Sequence, residues 1–362
     1  MVDQGLGMLN RRRLRWGVVG LGVGHQHALT LLNDANSELV AVCDKNSSTL
    51  AQVSAGYGDV SRFASAEEML AATELDAVAI ASYDWDHART IISCLERGVH
   101  VFAEKPLGTH IDDYQAIGRS LNTDPRLRMT TNTLLRKSPR FSWLKKEIET
   151  GKLGKVFHVQ ADYLYGRLSK LTHGWRGTNP EYSVTLGGTI HMVDLLIWLV
   201  GERPVSVTAV GSSAGLDAGA AGFTGDSLRA GLLSFASGLT ASVSANFASV
   251  GPHFHRLDVF GTEATFMNLP SVGQTGTTAP DSAGLLLRGP DPGTAQAVEA
   301  PYPAVSKGVL IPEFNRAILG QCRSPISEQE AMDAFAVCLA LDESVRVSQP
   351  ISIVYEEVAV RH

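Results

Sequence analysis

Trp16-Gly17-Val18-Val19-Gly20-Leu21-Gly22-Val23-Gly24-His25 is a short apolar run ending in closely spaced glycines, and a helix-compatible segment, Gln26 to Asn33, follows it. This is the pattern of a first strand turning sharply into a first helix. Gly20 suits the tight turn and Gly22 leaves bare backbone for a pyrophosphate. The helix N-terminus supplies unpaired N–H groups with a partial positive charge. The third glycine of a GxGxxG fingerprint would fall at 25, where there is a histidine, so the loop alone is a weak signal. Working outward, Glu38-Leu39-Val40-Ala41-Val42-Cys43-Asp44 is a second apolar strand ending in an acid roughly 20 residues on, where a ribose-binding carboxylate belongs. Together the two stretches predict a dinucleotide site, against the plainer reading of a glycine-rich turn.

The chain has 362 residues, enough for two domains. With 44% hydrophobic and 19% charged residues its composition is that of an ordinary soluble protein, and a formal charge of -6 gives no footprint for nucleic acid. The only dense basic run, Arg11, Arg12, Arg13 and Arg15, precedes the first strand and reads as a solvated arm. No apolar run is long enough to span a membrane and no cleavable signal segment is recognisable. Cys43, Cys94, Cys322 and Cys338 are widely spaced without a CxxC pair, which predicts core thiols of a reducing cytoplasm.

From 15 to about 131 strand and helix alternate. Strands are expected at 15–20, 38–43, 76–82, 99–104 and 127–131, with helices near 25–33, 65–72, 86–97 and 110–121. Ser65 with Glu68 reads as a capping box, and Gly98 as a helix stop. Short, nearly all-apolar strands belong to a parallel, doubly wound sheet covered on both faces. After Asn132 the rhythm changes. A helix from Pro139 to Thr150 precedes an alternating strand, Val156 to Tyr165, then a polar loop and a helix from Gly188 to Val200 closed by Gly201. From 205 to 270 only strands are expected, hence an antiparallel or mixed sheet in a second, α+β domain. Residues 270–296 read as a long surface excursion, and Ser327 with Glu330 boxes a last long helix. The expected division is an N-terminal arm at 1–14, a nucleotide-binding Rossmann domain at 15–131 and a substrate-binding and oligomerisation domain at 132–362.

Several residues carry candidate chemistry. Glu104-Lys105-Pro106 sits where the strand at 99–104 ends, at the edge where ligands of such sheets bind, and a lysine there can donate to a substrate oxygen. Taken alone it is a surface lysine before a turn proline. Gly187-Gly188-Thr189-Ile190-His191-Met192-Val193-Asp194 opens a helix on which His191 and Asp194 share a face, available for proton transfer; a satisfied core histidine is the plain alternative. Ser82 at a strand end is expected to contact the cofactor, His87 at the next helix start is expected either to contact the cofactor or to cap its own helix, and His25 flanks the glycine loop. The loop holding Arg167, Lys170, His173, Trp175 and Arg176 suits a polyhydroxylated ring or an acid group. His253 and His255 are two apart without an accompanying acid, so no metal is expected.

Gly20-Leu-Gly22-Val-Gly24-His25, Glu104-Lys105-Pro106 and Gly188-Thr-Ile-His191-Met-Val-Asp194, in that order, resemble the Gfo/Idh/MocA family of glucose-fructose oxidoreductase and inositol dehydrogenase relatives. Lesser matches are Ala41-Val-Cys-Asp44, Asn132 with Arg136, and Gly151-Lys-Leu-Gly154. The resemblance implies a Rossmann domain followed by a domain built on a large open, predominantly antiparallel sheet. It implies NAD(P)-linked oxidation or reduction of a sugar, polyol or related carbonyl compound. It casts Lys105 as the lysine that orients substrate, His191 as the proton-transfer histidine and Asp44 as the ribose-binding acid. The family often has an aspartate four residues before that histidine; with Gly187 in this chain, either His191 works with Asp194 and loop groups or the activity is unusual or absent.

The expected cofactor is NAD, because Asp44 accepts from both ribose hydroxyls and repels a 2′-phosphate, with NADP left open by Lys45. Cofactor contacts are expected from Gly20, Gly22, Gly24, His25, Asp44, Ser82, His87, Glu104 and Lys105. Substrate contacts are expected from Lys105, Asn132, Arg167, His173, Trp175, Arg176 and His191, with a sugar, inositol or sugar-acid derivative as the substrate class. Two rivals stay open: a non-catalytic sensor of cofactor or metabolite, for which Gly187 speaks, and an enzyme using bound NAD for elimination or hydrolysis by transient oxidation. Thr240, Ser242 and Ser244 give one face of a strand small hydroxyl side chains that suit a flat contact with a second copy, against the plainer reading that they face water; a homo-oligomer is expected, and the resemblance implies a homodimer or homotetramer.

Overall fold

The computed structural model of the protein describes residues 12–179, 181–216, 223–270, 283–302 and 304–359. Its first part contains β1 (Leu14–Val19), α1 (Gly24–Asn33), β2 (Ser37–Cys43), α2 (Ser47–Ser54), β3 (Ser61–Phe63), α3 (Ala66–Ala72), β4 (Ala77–Ile80), α4 (Asp84–Glu96), β5 (His100–Ala103), α5 (Ile111–Leu121) and β6 (Met129–Thr131). The six strands are parallel, in the order β3-β2-β1-β4-β5-β6. The order reverses between β1 and β4, so a crevice opens beyond their C-terminal ends. Register aligns what comes next: Val19 pairs with Cys43 and Ile80, Ile80 with Ala103, and Ala103 with Thr131. Gly20, Asp44, Ala81, Glu104 and Asn132 therefore stand in a row along one edge of the sheet.

The second part contains α6 (Pro139–Glu149), β7 (Val156–Leu164), α7 (Leu168–Thr172), α8 (Gly174–Gly177), α9 (Ile190–Val200), β8 (Pro204–Ser212), β9 (Leu228–Phe235), β10 (Thr240–Asn246), β11 (Phe254–Gly261), β12 (Thr265–Leu269), β13 (Ala283–Leu287), β14 (Gln296–Ala297), α10 (Ile311–Ile318), α11 (Glu328–Val347) and β15 (Ile351–Ser352). Nine strands form one sheet, β14-β13-β12-β11-β7-β10-β9-β8-β15, in which β7 and β10 are parallel and the other neighbours antiparallel. On β10, Ala241, Val243 and Ala245 are buried, while Thr240, Ser242 and Ser244 occupy the opposite face.

The two parts are stitched together late in the chain. Trp16, fully buried on β1, donates its indole N–H to Asn315 Oδ1 of α10 at 3.0 Å and meets Phe314 edge-on at 6.2 Å. Burial of each such aromatic stabilises the fold by roughly 1.5–3 kcal/mol, so α10 is an integral cover of the first sheet.

Local differences from the sequence reading have plain causes. α2 and β3 were not expected, since β3 is a three-residue edge strand without a buried side chain. Ser65 accepts the Glu68 N–H at 3.2 Å, and the Ser327–Glu330 box is complete. The helix expected from Gly188 begins earlier, in a π-helical turn at Thr185–Thr189 that runs directly into α9. Of the expected surface excursion at 270–296, residues 271–282 lie outside the described residues, and Ala283–Leu287 is a strand of the sheet. In the basic run Arg11 lies outside the described residues, whereas Arg12 pairs with Asp76 at 2.7 Å. Among the described residues no helix is long and apolar enough to cross a membrane.

Candidate active site

A cleft of about 1120 Å³ runs along the C-terminal edge of the parallel sheet and is closed on the far side by the second sheet. Its outer end is lined by Asp44, Lys45 and Ser65, its middle by Gly20, Gly22, Ser82 and His87, and its inner end by Lys105, Gly187 and His191.

The glycines divide the work at the first turn. Gly20 has φ +84°, and a β-carbon there would lie 2.4 Å from the Ala81 carbonyl oxygen, so backbone conformation and space both require glycine. A β-carbon on Gly24 would press on Val18 and Ala81 at 3.0 and 3.3 Å, so Gly24 lets α1 approach the sheet. A β-carbon on Gly22 would meet no heavy atom within 4 Å, and that space faces the cleft. It is a cradle open to a phosphate at the start of a helix that has no acidic residue in its first turn. Asp44 is held at the end of β2 by backbone N–H donors, Leu21 to Oδ2 and Asn46 to Oδ1, both at 2.8 Å. Each oxygen keeps a further lone pair for a ribose hydroxyl. Lys45 turns aside, its Nζ 3.9 Å from the centre of the Tyr83 ring. An open cradle, a tethered carboxylate and an elongated cleft fit a dinucleotide.

Lys105 owes its place to its neighbours. Glu104 is buried and accepts from Asn132 Nδ2 at 2.7 Å, with His27 Nε2 at 2.9 Å. Burial would raise its carboxyl, but the His27 contact, the Lys307 charge and the Asn132 hydrogen bond together hold it down at about 2. His87 packs between two carbonyls, Nδ1 2.6 Å from Pro106 O and Nε2 3.1 Å from Ser82 O, tying the strand ends together. The Lys105–Pro106 peptide is cis. Lys105 Nζ donates to the Gly187 carbonyl at 2.7 Å, joining the end of β5 to the π-helical turn before α9. Burial pulls its ammonium down to about 8, with Asp84 pulling the other way.

The opposite wall is aromatic and histidine-rich. His191 stacks on Tyr163 with ring centres 5.7 Å apart, and its Nδ1 is buried without a partner among the described residues. Burial pushes His191 well below its ordinary value, reinforced by the charges of Lys105 and Lys307. It is a neutral proton acceptor near pH 7. His255 faces Tyr302, and His253 packs on Tyr165 and His255 at 5.2 and 4.7 Å between ring centres. Tyr182 is buried against Gly187, and Arg176 Nε donates to its hydroxyl at 3.1 Å. Trp175 reaches across the cleft to Tyr83 and Trp85 at 5.4 and 5.7 Å.

Most of the expected residues meet here: Gly20, Gly22, Asp44, Ser82, His87, Glu104, Lys105, Arg167, Trp175, Arg176 and His191 all line the cleft. Five do not. Asp194 is buried on another side of α9, gripped by Arg136 at 3.0 and 2.7 Å, and so anchors the helix instead of facing His191's cleft. Asn132 lies behind the wall, bonded to Glu104 and the Lys307 carbonyl. His173 is exposed and paired with Thr172. His25 stacks on Tyr57 with a 2.5 Å ring-to-hydroxyl contact, and Gly24 serves packing. Asp84, Tyr163, Tyr165, Tyr182 and Lys307 fall in no sequence motif, and His253 and His255 have no accompanying acid, yet all seven line the cleft. Only the alternation of β7 and the two-residue histidine spacing hinted at this wall.

Comparisons with known proteins agree with this geometry. Residues 14–130 match a family model described as an oxidoreductase family with an NAD-binding Rossmann fold, and residues 141–267 match a GFO/IDH/MocA C-terminal domain. The chain is 30% identical over 259 residues to inositol 2-dehydrogenase of Rhizobium meliloti (strain 1021), covering 69% of this chain and 74% of that one. It is 24% identical over 351 residues to 1,5-anhydro-D-fructose reductase of Ensifer adhaerens, covering 94% and 98%. A crystal structure of scyllo-inositol dehydrogenase from Lactobacillus casei with bound NAD(H) and scyllo-inositol superposes with a TM-score of 0.76 at 18% identity, covering 94% of this chain and 99% of that one.

Proposed function

Since the chain belongs to the GFO/IDH/MocA family of NAD-binding Rossmann oxidoreductases, we propose that its cleft carries out the reversible oxidation of a secondary alcohol on an inositol or sugar ring. One observation carries the reading. Lys105 from the edge of the parallel sheet and His191 from the second part meet at the inner end of a cleft whose outer end is shaped for a dinucleotide. NAD, when bound, supplies the hydride acceptor. His191, held neutral by burial, takes the hydroxyl proton as the C–H hydride leaves. Lys105 has three N–H donors, of which one goes to Gly187 O; another donates to the same substrate oxygen and stabilises the charge that grows on it. Asp44 receives the ribose hydroxyls, and Gly22 admits the pyrophosphate.

One further observation favours a particular member of this class. The inner end is lined by Lys105, Arg167, Arg176 and Lys307 against the carboxylates of Asp84 and Glu104, and Glu104 is already engaged by His27 and Asn132. That excess of positive charge suits a ring carrying a carboxylate.

The test is NADH formation from NAD by the purified protein, read by absorbance over a panel of inositols, aldoses and uronates. We expect accumulation and release of NADH with at least one cyclic polyol or sugar acid, and a lower KM for uronates than for the matching neutral sugars. Turnover confined to simple aliphatic alcohols would contradict the reading. NADH that appears and vanishes, with product at the substrate's oxidation level, would instead indicate transient oxidation.

A further inference from the structure

We infer that the Tyr182 hydroxyl is a second hydrogen-bond donor to the reacting oxygen, beside Lys105, seated in the space that a side chain at 187 would fill; this rests on the hydride-transfer reading above. A β-carbon built on Gly187 would lie 2.0 Å from the Tyr182 hydroxyl oxygen and 2.8 Å from its Cζ. The missing side chain is therefore what admits the phenol. The same residue's carbonyl receives Lys105 Nζ at 2.7 Å, so phenol and ammonium converge on one residue of the cleft, beside His191.

The contact with Arg176 leaves the phenol's proton free for a ligand. Arg176 Nε donates to the hydroxyl oxygen at 3.1 Å, with the guanidinium 5.5 Å from the Tyr182 ring centre and 4.3 Å from that of Trp175. The oxygen therefore acts as an acceptor toward Arg176, and its own proton has no acceptor among the described residues. A tyrosine serving packing alone would spend that proton on a nearby carbonyl, because a buried unpaired donor is costly. Here the side chain is 5% exposed and lines the cleft, so the vacant partner belongs to whatever enters. Burial raises the hydroxyl well above the usual phenol range and keeps it a donor at all working pH values.

No bond to Tyr182 forms or breaks in the step. The C–H hydride leaves for the cofactor and the O–H proton goes to His191. The phenol donates a hydrogen bond that strengthens as negative charge builds on oxygen. Arg176 is a positioning residue, holding the ring by its hydroxyl.

The experiment compares Tyr182→Phe and Gly187→Ala, singly and together, with the parent protein on myo-inositol or the fastest panel substrate. Tyr182→Phe keeps the ring and removes one oxygen. We expect it to lower kcat about 10²-fold, to raise the primary deuterium isotope effect with carbon-deuterated substrate, and to leave NAD affinity by calorimetry unchanged. Gly187→Ala leaves the phenol intact but displaces it and should give a similar loss. The double variant should be no worse than either single one. A Tyr182→Phe rate within twofold of the parent, or a double variant losing the product of the two single effects, would overturn the inference alone. A parent that oxidises nothing on the panel would defeat the hydride-transfer reading and this inference with it.

Discussion

The two walls of the cleft are built on different principles. The wall contributed by the parallel sheet is a row of strand ends, and each position there is set by a backbone demand: a positive φ at Gly20, open space at Gly22, a tethered carboxylate at Asp44. The wall contributed by the nine-stranded sheet is a mosaic of side chains from β7, β11, the loops near Trp175 and Tyr182, and α9. Backbone demands on a strand–turn–helix leave a local signature, whereas a mosaic depends on pairings such as Tyr163 with His255 across β7 and β11. On the proposed reading the first wall holds the cofactor, and the second wall is where substrate choice can vary without disturbing it.

The contrast breaks most visibly at the glycines. Gly20→Ala meets a strained φ and the Ala81 carbonyl together, so we expect a loss of about 3 kcal/mol in unfolding free energy by denaturant titration. Gly22→Val puts its β-carbon where no heavy atom lies within 4 Å, on the cleft side, so stability should stay within about 0.5 kcal/mol while NAD affinity falls about 10²-fold in calorimetry. Comparable destabilisation by both substitutions would remove the distinction between a glycine for the fold and a glycine for the ligand.

Each wall should also leave its own limb in the pH profile. Lys105, lowered to about 8, stabilises the charge growing on oxygen best as the ammonium, so kcat/KM for alcohol oxidation should fall as pH rises above that value. His191, pushed well below its ordinary value, stays neutral, so its acid limb should lie well below pH 6.5. Lys105→Arg, cationic throughout, should abolish the alkaline limb. A limb that persists in this variant would assign the titration to another group.

The smallest effect is expected at the outer end. Asp44→Ala should weaken NAD binding about tenfold and narrow the preference of NAD over NADP, read by calorimetry with both cofactors. Equal binding of the two cofactors by the parent would contradict the role given to this carboxylate.

Legibility followed the same division. The glycine loop, Asp44 and Lys105 were readable because their chemistry sits at fixed offsets from strand ends. His191 was readable as the opening of a helix, but Asp194 was misplaced for a physical reason. α9 is buried almost all round, so residues three apart face different partners, Tyr163 for His191 and Arg136 for Asp194. Tyr182 lies only five residues before Gly187, yet nothing in spacing says that its ring folds back over that glycine. The loop around Arg176 was readable as polar and aromatic, but which of its side chains faced the cleft was not; His173 turned outward.

The most direct test of hydride transfer across the two walls is the steady-state rate of NADH formation by Lys105→Met and His191→Asn beside the parent, on the fastest panel substrate. NAD affinity should be checked by calorimetry in each. We expect both variants to bind NAD and to lose about 10³-fold in kcat, since each removes a cleft-lining group proposed to act on the oxygen as its charge changes. Near-parental rates in either variant would contradict it.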